Sequence, residues 1–212
     1  MKRIILTVSA IFAMNLVSAQ EIKYGIKAGL NVSTLVGDFE SENSLIGLHV
    51  GGFAEFKITD KFSVQPEILY STQGAESEYF VADEFSSTYD ERKIKLGYLN
   101  IPVIGKYFIF NGFSVEAGPQ IGFLLSAKNE YKFDNFVNER FTGSGEIDIK
   151  DQVKSVDFGF NIGAGYEFTD NVFVQARYTL GLSSVFEDNY SPATNDYKAQ
   201  NSVLQVSFGY KF

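Results

Sequence analysis

The last residues of the chain alternate strictly between apolar and polar side chains. Residues 204–212 read LQVSFGYKF, with an apolar or aromatic residue at every second position. Successive side chains of a β-strand point to opposite faces, so this segment predicts a strand with one apolar face and one polar face. The apolar face would cover a core in a water-soluble protein, whereas it would face lipid in a transmembrane barrel. The choice between these two environments constrains both fold and function.

The first residues predict export from the cytoplasm. A basic start, Met1-Lys2-Arg3, precedes an apolar run over residues 4–17 and small residues at Ser18 and Ala19. This order is typical of a secretory signal peptide, and a helix that spans a bilayer needs a longer apolar run of about 20 residues. We therefore predict a signal peptide over residues 1–19 and one domain over residues 20–212. The chain contains no Cys, which excludes disulfides and a lipid-modified cysteine.

The composition favours a barrel and argues against nucleic acid as a partner. The chain holds 21 Phe, 12 Tyr and 19 Gly, but its mean hydropathy is close to zero. Many apolar residues diluted by polar ones are typical of a membrane barrel, whose lumen-facing residues alternate with lipid-facing ones. The formal net charge of -8 is opposite in sign to the basic surface that nucleic acid requires.

Eight segments show strand periodicity, and the connections between them alternate in length. Tight turns are predicted at residues 59–61, 111–112 and 169–171, whereas long polar loops are predicted near residues 34–44, 73–92, 128–152 and 184–199. Short turns at one end and long loops at the other are typical of outer-membrane barrels. We predict an all-β fold, an eight-stranded antiparallel up-and-down transmembrane β-barrel. The predicted strands are residues 22–33, 45–57, 62–72, 93–108, 113–127, 153–168 and 172–183 and the C-terminal segment.

Two features conflict with a regular closed barrel. Pro66, Pro102 and Pro119 lie inside predicted strands, although proline cannot donate to the hydrogen-bond ladder and a closed barrel has no free edge. The apolar residues of the fourth predicted strand also change parity near its middle. A β-bulge near Gly97–Leu99 would explain this change.

Charged side chains fall on the predicted lumen face. The interior of an eight-stranded barrel is only wide enough to be filled by side chains, and buried charges there must pair. We predict a structural polar network with Arg177 at its centre among Glu67, Glu116 and Glu167; an ion or proton path is the alternative. The predicted network comprises Lys27, Glu55, Glu67, Glu116, Glu167 and Arg177.

The sequence predicts no catalytic residue, metal site or cofactor. His49 is the single histidine, no nucleophile motif accompanies it, and a His/Cys metal site is excluded by count. The loop over residues 73–92 interleaves acidic residues with Tyr79, Phe80, Phe85 and Tyr89. Such aromatic residues suggest a surface for a protein partner, or a hairpin that extends strands 3 and 4. A second candidate surface for a partner is the loop over residues 128–152.

Four segments together resemble a known family. They are YGIKAGLN at residues 24–31, YLNIPVIGKY at 98–107, GPQIG at 118–122 and DFGFNIGAGYE at 157–167. They are similar to the outer-membrane β-barrel domain family of Bacteroidetes, which includes a barrel component of a gliding and protein-secretion system. The resemblance implies prolines at matching strand positions, an accessory role in secretion and a C-terminal Phe212 that barrel-assembly machinery recognises. It implies no catalytic residues.

The sequence leaves several functions open. We predict a non-enzymatic outer-membrane protein that contacts lipid and has a structural or loop-mediated role. The alternatives are a small-solute channel, an outer-membrane enzyme that depends on His49, and a soluble periplasmic β-barrel.

Overall fold

The computed structural model describes residues 22–37, 43–82, 87–136, 140–187 and 198–212. The predicted signal peptide lies outside these residues. A short 3-10 helix at Lys150–Gln152 is the one helical element named among them. The strands are β1 (Ile22–Gly37), β2 (Asn43–Lys57), β3 (Phe62–Ala82), β4 (Ser87–Phe110), β5 (Phe113–Phe136), β6 (Arg140–Asp148), β7 (Val156–Glu167), β8 (Val172–Gly181) and β9 (Ala199–Lys211). None of the helical segments in the described part of the chain has the length and apolar character required of a transmembrane helix.

Eight of these strands form a closed antiparallel ring. Consecutive strands pair from β1 to β5, β5 then pairs with β7, and the ladder continues through β8 to β9. The first and last strands close the ring, with Gly25 opposite Lys211 and Gly37 opposite Ala199. Closure pairs the edges that an open sheet would expose. The predicted eight-stranded barrel is confirmed.

The tight turns lie at one end of the ring, and aromatic side chains surround that end. Gly112 adopts a φ of +81°, which the predicted turn at residues 111–112 requires and which glycine adopts without strain. The Thr59 and Thr169 hydroxyls each accept hydrogen bonds from backbone N–H groups of their own turns. Exposed rings around this end form an aromatic girdle of the kind found at a membrane interface. They belong to Tyr24, Phe62, Tyr107, Phe110, Tyr166, Phe168, Tyr210 and Phe212.

Three strands continue far beyond the other end of the ring, where the sequence predicted polar loops. β3 and β4 pair up to Ala82 and Ser87, and β5 pairs with β4 up to Phe136. β6 then pairs with the end of β5, outside the ring. The long loops predicted at 73–92 and 128–152 are therefore mostly strand, and the alternative of a hairpin extension is correct for the first. We call residues 73–82, 87–97, 126–136 and 140–148 the extension.

Each strand proline lies beside a local opening of the ladder. The β2–β3 pairing skips the residues between Phe53 and Phe56, opposite Pro66. The β3–β4 pairing skips the residues around Pro102, and the β4–β5 pairing skips those around Pro119. Each proline still pairs with the strand on its other side. The missing N–H therefore interrupts one ladder over a few residues, and the barrel stays closed.

The change of apolar parity in the fourth strand has a different cause from the one predicted. β4 keeps one alternation throughout, and its inward residues from Ile94 to Lys106 are all buried. The shift lies in β5, because Gly97 pairs with Ser126 while Tyr98 pairs with Leu124, and the register passes over Leu125. The bulge predicted in β4 is therefore in the opposite strand. The apolar face changes because the surroundings change. Inward residues from Ile94 to Tyr98 are apolar, whereas polar Asn100 and Lys106 point inward below them and apolar Leu99, Ile101 and Val103 point outward.

Candidate functional site

The middle of the lumen holds a buried layer of paired charges. Arg177 Nη1 lies 2.7 Å from Glu67 Oε1, and its Nε lies 2.6 Å from Glu116 Oε2. Lys27 Nζ lies 2.6 Å from Glu67 Oε2, and Gln175 donates to Glu116 at 2.9 Å. All five side chains are 2% exposed or less. Two cations and two anions balance here, as buried charges require.

A second layer of paired charges lies nearer the tight turns. Lys106 Nζ is 3.0 Å from Glu55 Oε2 and 3.2 Å from Glu167 Oε1. Lys211 Nζ is 2.8 Å from the same Glu55 oxygen and 2.6 Å from Glu167. Both ammonium groups also lie within 6 Å of the centre of the Phe173 ring, at 5.8 and 5.6 Å.

The structure thus divides the predicted polar network into two layers. Arg177 contacts Glu67 and Glu116 as predicted, but Glu167 belongs to the second layer and is not its partner. Sequence reasoning missed Lys106. The alternation that places Tyr107 outward also places Lys106 inward, so that signal was present in the sequence.

Above the charged layers, His49 is held between two polar side chains. Its Nδ1 lies 2.7 Å from Asn31 Oδ1, and its Nε2 lies 2.7 Å from Ser207 Oγ. Asn31 in turn donates to the Ser71 hydroxyl at 2.9 Å. A serine, a histidine and an amide in this order resemble a hydrolytic triad. All of them are 3% exposed or less, so the arrangement offers a substrate little surface.

An apolar cap fills the loop end of the lumen. One segment before β7 and one after β8 fold over the mouth, where Val153 forms a β-bridge with Phe186 and Lys154 N–H donates to Val185 at 2.8 Å. Sequence reasoning missed this cap because it treated residues 128–152 and 184–199 as polar loops. The apolar residues Ile149, Val185 and Phe186 were the available signal. The cap comprises Leu35, Ala75, Ile94, Leu96, Tyr98, Leu124, Ala127, Ile149, Val153, Val185, Phe186 and Ala199.

The outward face of the extension is covered by ion pairs. Lys93 Nζ lies 2.9 Å from Glu76 and 2.8 Å from Glu91. Lys95 pairs with Glu130 at 2.7 Å. The hydrogen bond from Lys93 lowers the pKa of the Glu91 carboxyl, and the hydrogen bonds to Glu91 and Glu76 raise the pKa of Lys93. Further pairs join Lys128 to Glu146 and Arg140 to Asp134.

The inward face of the extension carries a groove with two aromatic rings. Phe133 lies over Gly143 so closely that a Cβ there would be 2.4 Å from the ring, and the Tyr131 ring lies over Gly145 in the same way. The groove has a volume of about 440 Å³. The side chains that line it belong to Asp90, Arg92, Asn129, Tyr131, Phe133, Asn135 and Ile147.

The predicted assembly residue Phe212 lies at the turn end. Its side chain is 72% exposed, its ring packs edge-on against Tyr210, and its N–H donates to the Tyr24 carbonyl at 2.8 Å. Among the described residues, no group of three or more His, Asp or Glu side chains is arranged to hold a metal ion.

Known structures of similar architecture are outer-membrane barrels. Ail, the attachment invasion locus protein of Yersinia pestis, shares 12% identity, with 91% of this chain and 99% of Ail covered and a TM-score of 0.48. Neisserial surface protein A shares 14% identity, with coverage of 92% and 100% and a TM-score of 0.47. The N-terminal barrel domain of Pseudomonas aeruginosa OprF shares 11%, with coverage of 91% and 100% and a TM-score of 0.38. A search of curated protein sequences finds no significant match.

A family model shows which family the chain belongs to. The model of the outer membrane protein beta-barrel domain matches residues 18–187, most of the chain. The closed ring and its exposed apolar belt agree with this match, and they place the protein in the outer membrane in contact with lipid. The chain belongs to the outer membrane protein beta-barrel domain family.

Proposed function

We propose that the protein is a closed, non-enzymatic outer-membrane barrel that holds the extension outside the cell for contact with a partner. The observation that carries this proposal is the filled lumen. Two charge-balanced layers occupy its lower and middle parts, and the apolar cap occupies its outer end. A barrel filled in this way serves better as a rigid support than as a path for solutes.

Conductance tests the closed barrel directly. We expect the purified full chain, inserted into a planar lipid bilayer, to give no current steps above those of the protein-free bilayer. Correct insertion is checked by the shift in gel mobility that a folded barrel shows on heating. Discrete, reproducible current steps from the folded protein would contradict the proposal and favour the small-solute channel.

Exposed aromatic side chains at the tips of the extension support a role in interaction. Tyr79, Phe80 and Val81 lie at the β3–β4 tip and are 60%, 66% and 48% exposed. Phe136 and Phe141 lie at the β5–β6 tip and are 46% and 62% exposed. Exposed apolar side chains clustered at one end of a protein are typical of an interaction surface. An accessory role in protein secretion, which the family resemblance implies, is one form of such an interaction.

The proposed orientation is tested by single-cysteine labelling, since the natural chain has no Cys. Phe80→Cys places a thiol at the tip of the extension, and Lys61→Cys places one in a tight turn. We expect a membrane-impermeant maleimide to label intact cells that carry Phe80→Cys but not those that carry Lys61→Cys. Both variants should react once the outer membrane is permeabilised. The reverse pattern would contradict the proposal.

Export and assembly are the remaining parts of the proposal. We propose that residues 1–19 direct export and are removed, and that barrel-assembly machinery recognises the C-terminal strand through Phe212. Phe212→Ser should lower the amount of folded protein in the outer membrane. Phe110→Ser is the matched control, because Phe110 is an exposed aromatic of the same girdle at 61%. Equal losses of folded protein in the two variants would contradict a specific role of Phe212 in assembly.

Catalysis inside the lumen is not part of the proposal. The arrangement of Ser207, His49 and Asn31 lies between the apolar cap and the charged layers. We propose that these residues fill and stiffen the barrel, because their hydrogen bonds satisfy buried polar atoms.

A further inference from the structure

We infer that the groove on the inward face of the extension is a carbohydrate-binding site, in which a sugar ring stacks on Tyr131 and Phe133. This inference rests on the proposed function and names the chemical class of the partner. The groove lies beyond the apolar cap, because Asn129 pairs with the cap residue Ile94 and the rest of the groove continues away from the barrel. The groove therefore lies outside the lipid bilayer and is open to water.

The two rings form a flat platform. Gly143 and Gly145 of β6 leave space for Phe133 and Tyr131 to lie across the neighbouring strand, so each ring has one face on the backbone. Both aromatic residues are half-buried, which leaves surface of each ring open to the groove. The face of an aromatic ring carries partial negative charge, and it attracts the weakly positive C–H groups of a sugar ring.

Polar groups surround this platform. The Oδ1 atoms of Asn129 and Asn135 are buried and find no hydrogen-bond partner within the described residues. Buried polar atoms are usually satisfied, so two such atoms in one groove suggest a ligand with hydroxyl donors. The Arg92 guanidinium donates to both Asp90 carboxylate oxygens at 3.2 Å, which makes this pair neutral overall.

This set of groups distinguishes carbohydrate from other extracellular ligands. A lipid chain would leave the Asn129 and Asn135 oxygens unsatisfied, and an anionic ligand would meet a guanidinium that Asp90 already neutralises. A neutral sugar offers hydroxyl groups for the amides and an apolar ring face for the aromatics. The outward face of the extension, where ion pairs cover the surface, holds no buried unsatisfied side-chain oxygen in the part of the chain that the structure describes.

Binding is tested with the purified full chain in a detergent that has no sugar headgroup, because glucoside or maltoside detergents would compete for the groove. A microarray of neutral and acidic oligosaccharides first identifies bound sugars, and calorimetric titration with the strongest neutral oligosaccharide gives the Kd. We expect Phe133→Ala to weaken binding by about tenfold and Asn135→Ala by about fivefold. Phe133→Tyr should preserve binding, since it keeps the ring.

Lys132→Ala is the matched control, because Lys132 directly precedes Phe133 on the same strand but points to the outward face. Phe133→Ala removes a ring that packs on β6, whereas Asn135→Ala leaves both rings packed on Gly143 and Gly145. Weaker binding by Asn135→Ala is therefore not explained by a displaced β6. The inference is overturned if no oligosaccharide binds the folded wild-type protein at millimolar concentration, or if Lys132→Ala weakens binding as much as Asn135→Ala. Neither result depends on conductance, so a failure here is distinguishable from a failure of the closed barrel.

Discussion

Strands β3, β4 and β5 run through both the lipid-facing barrel and the extension, but the apolar face of these strands points outward in the barrel and inward in the extension. In the barrel part of β4, Val103 and Tyr107 point outward into lipid while Asn100 and Lys106 point inward. In the extension, polar side chains cover the outward face, and further inward residues of the same strand, such as Leu96, are buried in the apolar cap. Side chains alternate identically in both parts, so only the solvent differs. The alternation reports which residues share a face, and the surroundings decide which face is apolar.

The barrel and the extension are also stabilised by different interactions. The barrel has a closed ladder and buried ion pairs that leave few lumen charges unsatisfied. The extension is held by the cap beneath it and by exposed ion pairs that each contribute little. Mutations of the same chemical type should therefore differ in effect between the two regions.

The largest expected effect is the loss of the central arginine. Arg177→Leu leaves the Glu67 and Glu116 carboxylates buried without their partner, and we expect the free energy of unfolding to fall by about 3–5 kcal/mol. Arg140→Leu is the matched control, since it breaks an exposed pair with Asp134 that solvent screens, and it should change stability far less than Arg177→Leu. Urea unfolding in micelles measures both. Similar losses in the two variants would contradict the distinction between the regions.

A smaller effect is expected from opening the cap. Phe186 is 0% exposed, and Phe186→Ala should destabilise the cap by about 3 kcal/mol, because it leaves a cavity. Hydrogen exchange should become faster at residues 149–155 and 182–187 while the strands of the ring keep their protection. Phe80→Ala, at an exposed position of 66%, should change stability by no more than about 0.5 kcal/mol. Uniformly faster exchange throughout the ring would show that the cap and the barrel unfold together.

The junction between the two regions contains a glycine that should resist substitution. Gly74 has a φ of +148°, and a Cβ there would lie 1.8 Å from the Ile94 carbonyl oxygen. We expect Gly74→Ala to cost about 2 kcal/mol, measured by thermal unfolding. Gly52→Ala is the control, since the nearest atom to its added Cβ is 3.5 Å away, and it should be close to neutral. Equal costs would show that backbone crowding at the junction is unimportant.

The smallest expected effect is a pH dependence of the extension. Hydrogen bonds from Lys93 and Arg140 lower the pKa values of Glu91 and Asp134 in the folded state. Their stabilisation is present above the unfolded pKa values of about 4 and is lost as the pH falls through the lower folded values. Hydrogen exchange in the extension, corrected for its intrinsic pH dependence, should therefore rise a few fold between pH 5 and pH 3.

The Glu91 carboxyl and the strands of the ring provide two controls for this pH dependence. Glu91→Gln should remove part of the pH dependence, because its side chain no longer titrates. Exchange in the membrane-facing parts of β1 and β9 should remain slow throughout this range, since both strands belong to the closed ladder. An increase of equal size in those strands would contradict the separation of the two regions.

The barrel could be predicted from local patterns in the sequence, because a repeat of two residues and alternating connection lengths need no knowledge of tertiary contacts. Alternation identified the lumen side chains Lys27, Glu67 and Arg177, and the Asn111-Gly112 pair predicted its turn. Which charges meet depends on the closed ring, since Glu167 and Glu116 both point inward but lie at different heights along the barrel.

The extension, the cap and the groove were also decided by the tertiary structure. The segment over residues 128–152 has the polar composition of a loop, yet residues 128–136 and 140–148 pair as strands, because β4 provides a template for β5 and β5 provides one for β6. Val153 and Phe186 are far apart in the chain and become a cap only after the ring brings their segments together. Local composition records the polarity of a residue, whereas closure of the ring decides which residues share an interior.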